Sequence, residues 1–327
     1  LRHIKISPPM KGDVLISASV GAAGEAVTLW GPEALLHRSR SPIRPPFEAT
    51  GAFLPDTASW RARVVSTSHD GHSDTVEIKG PFPRFPHVHS MPGGELLMVG
   101  YRCWFRDGAA EHNAVVVGPD GAHRRSGSLG DGIEDIQITP SGRIVVGYFD
   151  EGVFGGNYGW ADAAGQIPIG DPGLVEFDAD LNLVWSYPPS WRASETGEPA
   201  FPPIADAYTL NVVGETVWAC IHVDFPVLRI NDGQIDVWKN DLVNGAYDFL
   251  VLDDFVGWVG GHGIEPERLT VARRTGDGTD LYRTFRVTGE DAVAPRTYVA
   301  SCNRASMLHR FTEAGDWYLL DLASLDL

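Results

Sequence analysis

Short runs of alternating apolar and polar residues recur along this chain, usually in pairs separated by turn residues. The clearest pair lies within 129–155, LGDGIEDIQITPSGRIVVGYFDEGVFG: residues 133–139 alternate, Pro140-Ser141-Gly142 turns, and 143–148 are rich in β-branched side chains. This pattern predicts a β-hairpin. The same unit returns at 87–101 and continues through 112–128, then at 173–187, 205–239 and 247–287, with turns of Gly, Asp, Asn or Pro. Weaker copies are read at 3–38, 48–79 and 296–322.

No stretch keeps a helical apolar period over 11 or more positions. The sum is about 27 strands in about seven units of roughly 40–45 residues, the size of a four-stranded propeller blade. A β-sandwich normally uses far fewer strands. The expectation is an all-β, seven-bladed β-propeller of four-stranded antiparallel blades, with six or eight as the error range, forming one domain over 1–327.

Successive strands of a blade, A to D, reverse direction, so B–C loops and D-to-A connections share a face. Two long insertions fall there. Residues 151–172 carry Phe154, Tyr158 and Trp160, and 188–203 carry Trp191 and Arg192. Loops of that length without regular structure are often binding elements.

Charge narrows the partners. The formal net charge of −17 makes a general attraction to nucleic acid or anionic lipid a poor expectation. Cys103, Cys220 and Cys302 are far apart and form neither a disulfide framework nor a zinc motif. No run of about 18 apolar residues occurs, and residues 1–11 lack a secretion-signal core. A cytoplasmic protein is the default, although the first residue, Leu1, leaves room for a removed upstream segment.

Candidate chemistry comes from superposing the four clear units. His87, Asp135, Asp206 and Asp248 take one equivalent position near the long-loop end of strand A, with Glu134 beside them and His89, Gln137, Tyr208 and Leu250 two residues further along. His87 and His89 form an HxH pair that, with Asp135, Asp206 and Asp248, has the donor types for a divalent metal such as Ca, Mg, Mn or Zn. Without a metal, crowded carboxyls raise one another's pKa and supply a general acid. His87, His222, Asp135 and Tyr148 are the catalytic candidates. Tyr101, Arg102, Trp160, His262 and Arg304 are the substrate-binding candidates, the arginines suited to a substrate carboxylate. His69, Asp70, His72, Asn303 and Arg304 are read onto B–C loops with Asp150, Glu151, Asp224 and Glu265. An ordinary capping or surface role competes with each of these readings.

Motifs for nucleotide cofactors, GxSxG hydrolases and HExxH zinc enzymes are missing. The stretch GDGIEDIQITPSGRIVVGYFDEGVFG, followed by PGLVEFDADLNLVWSYP, resembles uncharacterised actinobacterial β-propellers over about the central half of the chain. That resemblance implies a fold and no activity. Propeller enzymes more widely include lactonases, polysaccharide lyases and the virginiamycin B lyase, but none of their catalytic motifs aligns here residue by residue.

The leading functional expectation is a small-molecule lyase or hydrolase acting on an oxygen-rich, sugar- or lactone-like substrate in the funnel. A non-catalytic ligand- or protein-binding propeller and a cyclase or isomerase of specialised metabolism are the alternatives.

Overall fold

The computed structural model describes residues 1–39, 52–54, 57–155, 158–160, 166–188, 201–287 and 298–327, and among these the strands pair into six four-stranded antiparallel sheets. Blade 1 is Asp13–Val20, Ala26–Pro32, Arg61–Thr67 and Ser73–Lys79; blade 2 is Pro86–Ser90, Leu96–Gly100, Ala114–Val117 and His123–Gly127. Blade 3 is Ile133–Ile138, Ile144–Tyr148, Leu174–Phe177 and Leu183–Ser186; blade 4 is Asp206–Val213, Thr216–His222, Val227–Asn231 and Gln234–Trp238. Blade 5 is Asp248–Leu252, Phe255–Val259, Arg268–Thr275 and Gly278–Arg286. Blade 6 takes Tyr298–Arg304, Met307–Thr312 and Asp316–Asp321 from the end of the chain and Arg2–Lys5 from its beginning. Each strand A lies against the next, and the strand of blade 6 returns to that of blade 1, closing the ring.

Six blades therefore replace the expected seven. Arg2–Lys5 does not open a blade of its own; it pairs with Asp316–Asp321 as the outer strand of blade 6. Residues read as a strand at 35–38 form the short helix Glu33–Ser39, so the strands on either side of it belong to one blade. Of the strand read at 48–54, only Phe53–Leu54 is described as strand, in a small ladder with Phe82–Pro83.

A blade is buried on both faces, and this explains why its inner strands read as unbroken apolar runs. In Ile144–Tyr148, Ile144 and Val146 pack with Leu97, Val99 and Val116 of blade 2, whereas Val145 packs with Leu210 and Val217 of blade 4. Six such clusters occupy the six interfaces between blades. Outer strands such as His123–Gly127 and Gly278–Arg286 face water and are polar. The turn after Ile138 forms as read: Gly142, at φ +92°, donates its N–H to Thr139 O at 2.9 Å.

Strand order also corrects two loop placements. Residues 68–72 join strands C and D of blade 1, and Asn303 and Arg304 close strand A of blade 6, so His69, Asp70, His72 and Arg304 belong to the face opposite the long loops. Among the described residues, no helix is long and apolar enough to cross a membrane.

Candidate functional site

The inner strands of all six blades surround one cavity of about 250 Å³. Blade 2 contributes His87 and His89, blade 3 Glu134, Asp135 and Gln137, blade 4 Tyr208 and Thr209, blade 5 Tyr247 and Asp248, and blade 6 Ser301, Cys302 and Asn303; Ala18–Val20 complete the wall from blade 1. Tyr101, just beyond strand B of blade 2, stacks on His87 with ring centroids 3.7 Å apart and planes 11° off parallel. This contact fixes the plane of the His87 ring against the wall.

Deeper along the strands the channel is closed by amides. Gln137 Nε2 donates to Leu210 O at 2.9 Å and, across the ring, to Asn303 O at 3.0 Å, while its Oε1 accepts from Val212 N. Asn303 donates to Leu210 O and accepts from Thr209 Oγ1 and Phe249 N; Asn211 bonds Phe249 and Ala305. Every side-chain N and O of these three amides has a partner, as buried polar groups require. The result is a rigid floor joining blades 3, 4, 5 and 6.

Asp135 and Asp248 lie one step above the amides, and His89 is level with Gln137. Asp135 accepts from Leu210 N at 3.1 Å and Asp248 from Ser301 Oγ at 2.6 Å. Burial nevertheless pushes both carboxyls up to about 6, aided at Asp135 by the neighbouring Asp248 and opposed at Asp248 by Arg310. Glu134 reaches solvent at the mouth, yet the surrounding walls, and after them Asp206 and Asp135, push it up to about 7. His89 is 4% exposed, its Nε2 has no protein partner among the described residues, and burial lowers it to about 4. It is a neutral imidazole at physiological pH. Burial, then Asp248 and Asp135, holds the Cys302 thiol protonated, so it is no nucleophile in this setting.

The ring read from the sequence is thus only partly assembled. His87, Asp135 and Asp248 meet in the cavity, but Asp206 stands outside its lining. Thr209 faces Cys220 across the sheet as Asp135 faces Gly147, so Thr209 holds the position assigned to Asp206, which lies three residues earlier and faces His222. Asp206 is pushed up to about 6 by burial and by Asp150. Among the described residues, no three His, Cys, Asp or Glu side chains are grouped so as to hold a metal ion. His87, His89, Asp135, Asp206 and Asp248 are not gathered about one centre.

The remaining candidates fall into three places. His222 and His262 stand at the rim around Phe225, with ring centroids 4.9 and 5.6 Å away, and Tyr208 Oη lies 3.3 Å from His262 Nε2. Asp224 and Phe225 both adopt left-handed backbone, at φ 65° and 51°, a conformation held by Asn240 Nδ2 bonding Phe225 O. A neighbouring box uses up Arg102: its Nη1 lies 2.5 Å from Glu151 and 3.5 Å from Asp131, and its guanidinium lies over Phe149 and Tyr158. Gly132 and Gly152 make that box possible, since a Cβ on Gly132 would come within 2.3 Å of Gly152 N. The third group is internal. Tyr148 and Trp160 are fully buried and donate to the carbonyls of Leu129 and Cys103; Arg304 is buried at the far end of strand A and donates to Ile138 O. These three, with Arg102, do not line the cavity, and Trp191 and Arg192 lie outside the described residues.

Sequence reasoning missed Ser301 and the partnership of Gln137 with Asn303. Their signal is a polar residue in an otherwise apolar inner strand, as in IEDIQI.

No protein-family model matches the chain, and no curated protein matches it in sequence. Similar solved structures include a streptogramin B lyase at 10% identity and TM-score 0.45, covering 98% of this chain and 86% of that one. The virginiamycin B lyase from Staphylococcus aureus aligns at 10% identity and TM-score 0.43 over 98% and 99% of the two chains. A gluconolactonase from Xanthomonas campestris aligns at 12% identity and TM-score 0.40 over 98% and 97%. At such values these likenesses carry no residue roles, and the propeller stands on its own strand pairing.

Proposed function

We propose that the cavity is the active site of a small-molecule enzyme that works by proton transfer, a lyase or hydrolase acting on a compact oxygen-rich substrate. The observation that supports this reading most is His87, braced on Tyr101, sharing one small cavity with Asp135 and Asp248, whose carboxyls burial pushes up to about 6. His87 removes a proton from a substrate carbon in an elimination, or from water in a hydrolysis. Asp135 or Asp248, protonated in part of the population near neutral pH, gives its proton to the departing oxygen as the carbon–oxygen bond breaks. The neutral His89 donates or accepts one hydrogen bond to orient the substrate.

The test is a panel of lactones, esters and uronides incubated with the enzyme in H2(18)O and followed by mass spectrometry. Hydrolysis incorporates the label and elimination leaves an unlabelled unsaturated product, in both cases lost in His87→Ala. Product formation that survives both His87→Ala and Asp135→Asn contradicts the proposal. A ligand-binding propeller without catalysis is the second reading, favoured by the aromatic rim of Tyr208, Phe225 and His262. It predicts that the same substitutions weaken binding and that no product forms with any substrate.

A further inference from the structure

The two cavity aspartates meet the chamber differently. Asp135 is half-buried and opens to the cavity itself, whereas Asp248 is only 2% exposed. Their hydrogen-bond donors also differ in kind. Asp135 accepts from the Leu210 backbone N–H, which can only donate; Asp248 accepts from Ser301 Oγ, a hydroxyl that both donates and accepts and that rotates to suit its partners. Their separation of 2.6 Å is that of a charge-assisted O–H···O⁻ bond. Ser301, unlike the carboxyl it serves, is exposed, and it lines the same cavity.

Blade 6 sets this placement. Ser301 lies directly opposite Arg310 where Tyr298–Arg304 pairs with Met307–Thr312, and residues so paired share a face of the sheet. That face looks towards blade 5: Arg310 acts on Asp248 and bonds Pro266 O, in the loop before Arg268–Thr275.

We infer that Ser301 is the hydroxyl through which the sunken Asp248 exchanges its proton with the occupant of the cavity. The inference deepens the proton-transfer reading of the site and rests on it for its chemistry. When Asp248 is protonated, its O–H donates to Ser301 Oγ and the Ser301 O–H turns to a substrate oxygen. As the carbon–oxygen bond breaks and its electron pair stays on the departing oxygen, the Ser301 proton passes to that oxygen and the Asp248 proton passes to Ser301. Asp248 is left as a carboxylate accepting from an unchanged Ser301 hydroxyl. The other groups that act on Asp248 stand ready for neither role: Arg310 only donates, the Cys302 thiol is held protonated, and Asp135 lies across the chamber on blade 3.

The test is a ¹³C NMR titration of the aspartate carboxyls in the full chain, as wild type, Ser301→Ala and Ser301→Thr. Removing the hydroxyl takes away a bond that favours the carboxylate, so in Ser301→Ala the Asp248 midpoint is expected to rise by about one pH unit or more. Its resonance should also broaden through the transition, as proton exchange with the cavity slows, while Asp135 moves far less. Ser301→Thr, which keeps a hydroxyl, should restore both midpoint and line width, and Ser301→Cys, of similar volume but a weaker donor, should fall between. An unmoved Asp248 midpoint in Ser301→Ala overturns the inference, and so does a raised midpoint with an unchanged line width, which would leave a hydrogen bond without a relay. On any substrate found by the labelling screen, Ser301→Ala and Asp248→Asn should each lower kcat by a similar factor and the double variant no further, because both serve one proton path; losses that multiply would overturn it. Failure to find a substrate would count against the enzymatic reading, while the titration still decides the role of Ser301.

Discussion

Two groups of buried polar residues sit one below the other on the same inner strands, and they have opposite character. In the lower group, Gln137, Asn211 and Asn303 satisfy one another and the backbone completely. In the upper group, Asp135 and Asp248 are pushed up to about 6 by burial although Leu210 N and Ser301 Oγ donate to them. A satisfied network rigidifies a fold, whereas buried carboxyls with raised pKa values in a cavity mark a candidate functional site. The floor is read as architecture and the chamber above it as function.

The comparison is sharpened most by His87→Ala. It should lower kcat on any substrate found by the labelling screen by about 10²–10⁴-fold, the range for losing a general base, with the unfolding midpoint nearly unchanged. A loss of rate matched by a loss of stability would make His87 a packing residue.

Asn303→Ala belongs to the floor and should behave in the opposite way. It leaves Phe249 N and Thr209 Oγ1 without their acceptor and should cost about 3 kcal/mol in urea unfolding. A cost below about 1 kcal/mol would deny the floor its structural role.

Asp248→Asn should stabilise. The folded pKa of Asp248 lies above the ordinary value, so the folded state binds the extra proton between about pH 4 and pH 6, and stability is lost as pH rises through that window. The variant escapes this loss, worth up to about 3 kcal/mol on the buried side chain and less where Asn fits imperfectly. It should melt higher than the wild type at pH 8 and alike at pH 4; the reverse order would mean that Asp248 is a structural anion.

The smallest effect expected is that of metal. Ca²⁺, Mg²⁺, Mn²⁺ or Zn²⁺ at stoichiometric excess should leave the melting temperature unchanged, because no three ligand side chains are grouped among the described residues. A saturable rise in melting temperature, lost in Asp135→Asn, would restore the metal reading.

Much of the blade architecture was legible because it is local. Turn residues and paired apolar runs mark the hairpins, and the meanders of blades 2 to 5 follow from them. Closure was not legible: Arg2–Lys5 looks the same whether it begins a blade or completes one more than 300 residues away in the chain. Counting along strands brought His87, Asp135 and Asp248 to one cavity, whereas Asp206 was set three residues out of register because its strand, Asp206–Val213, is eight residues long against six for Ile133–Ile138. Arg102 and Trp160 looked available for a ligand because the sequence does not show that Glu151, Asp131 and the Cys103 carbonyl already engage them.

The most direct measurement is a ¹³C NMR titration of the aspartate carboxyls, with Asp135 and Asp248 assigned through their Asn variants. Two resonances with midpoints near pH 6 are the expected result. Midpoints near the ordinary value of about 3.9 would mean that both carboxyls are solvated and would contradict their role as proton donors near neutral pH.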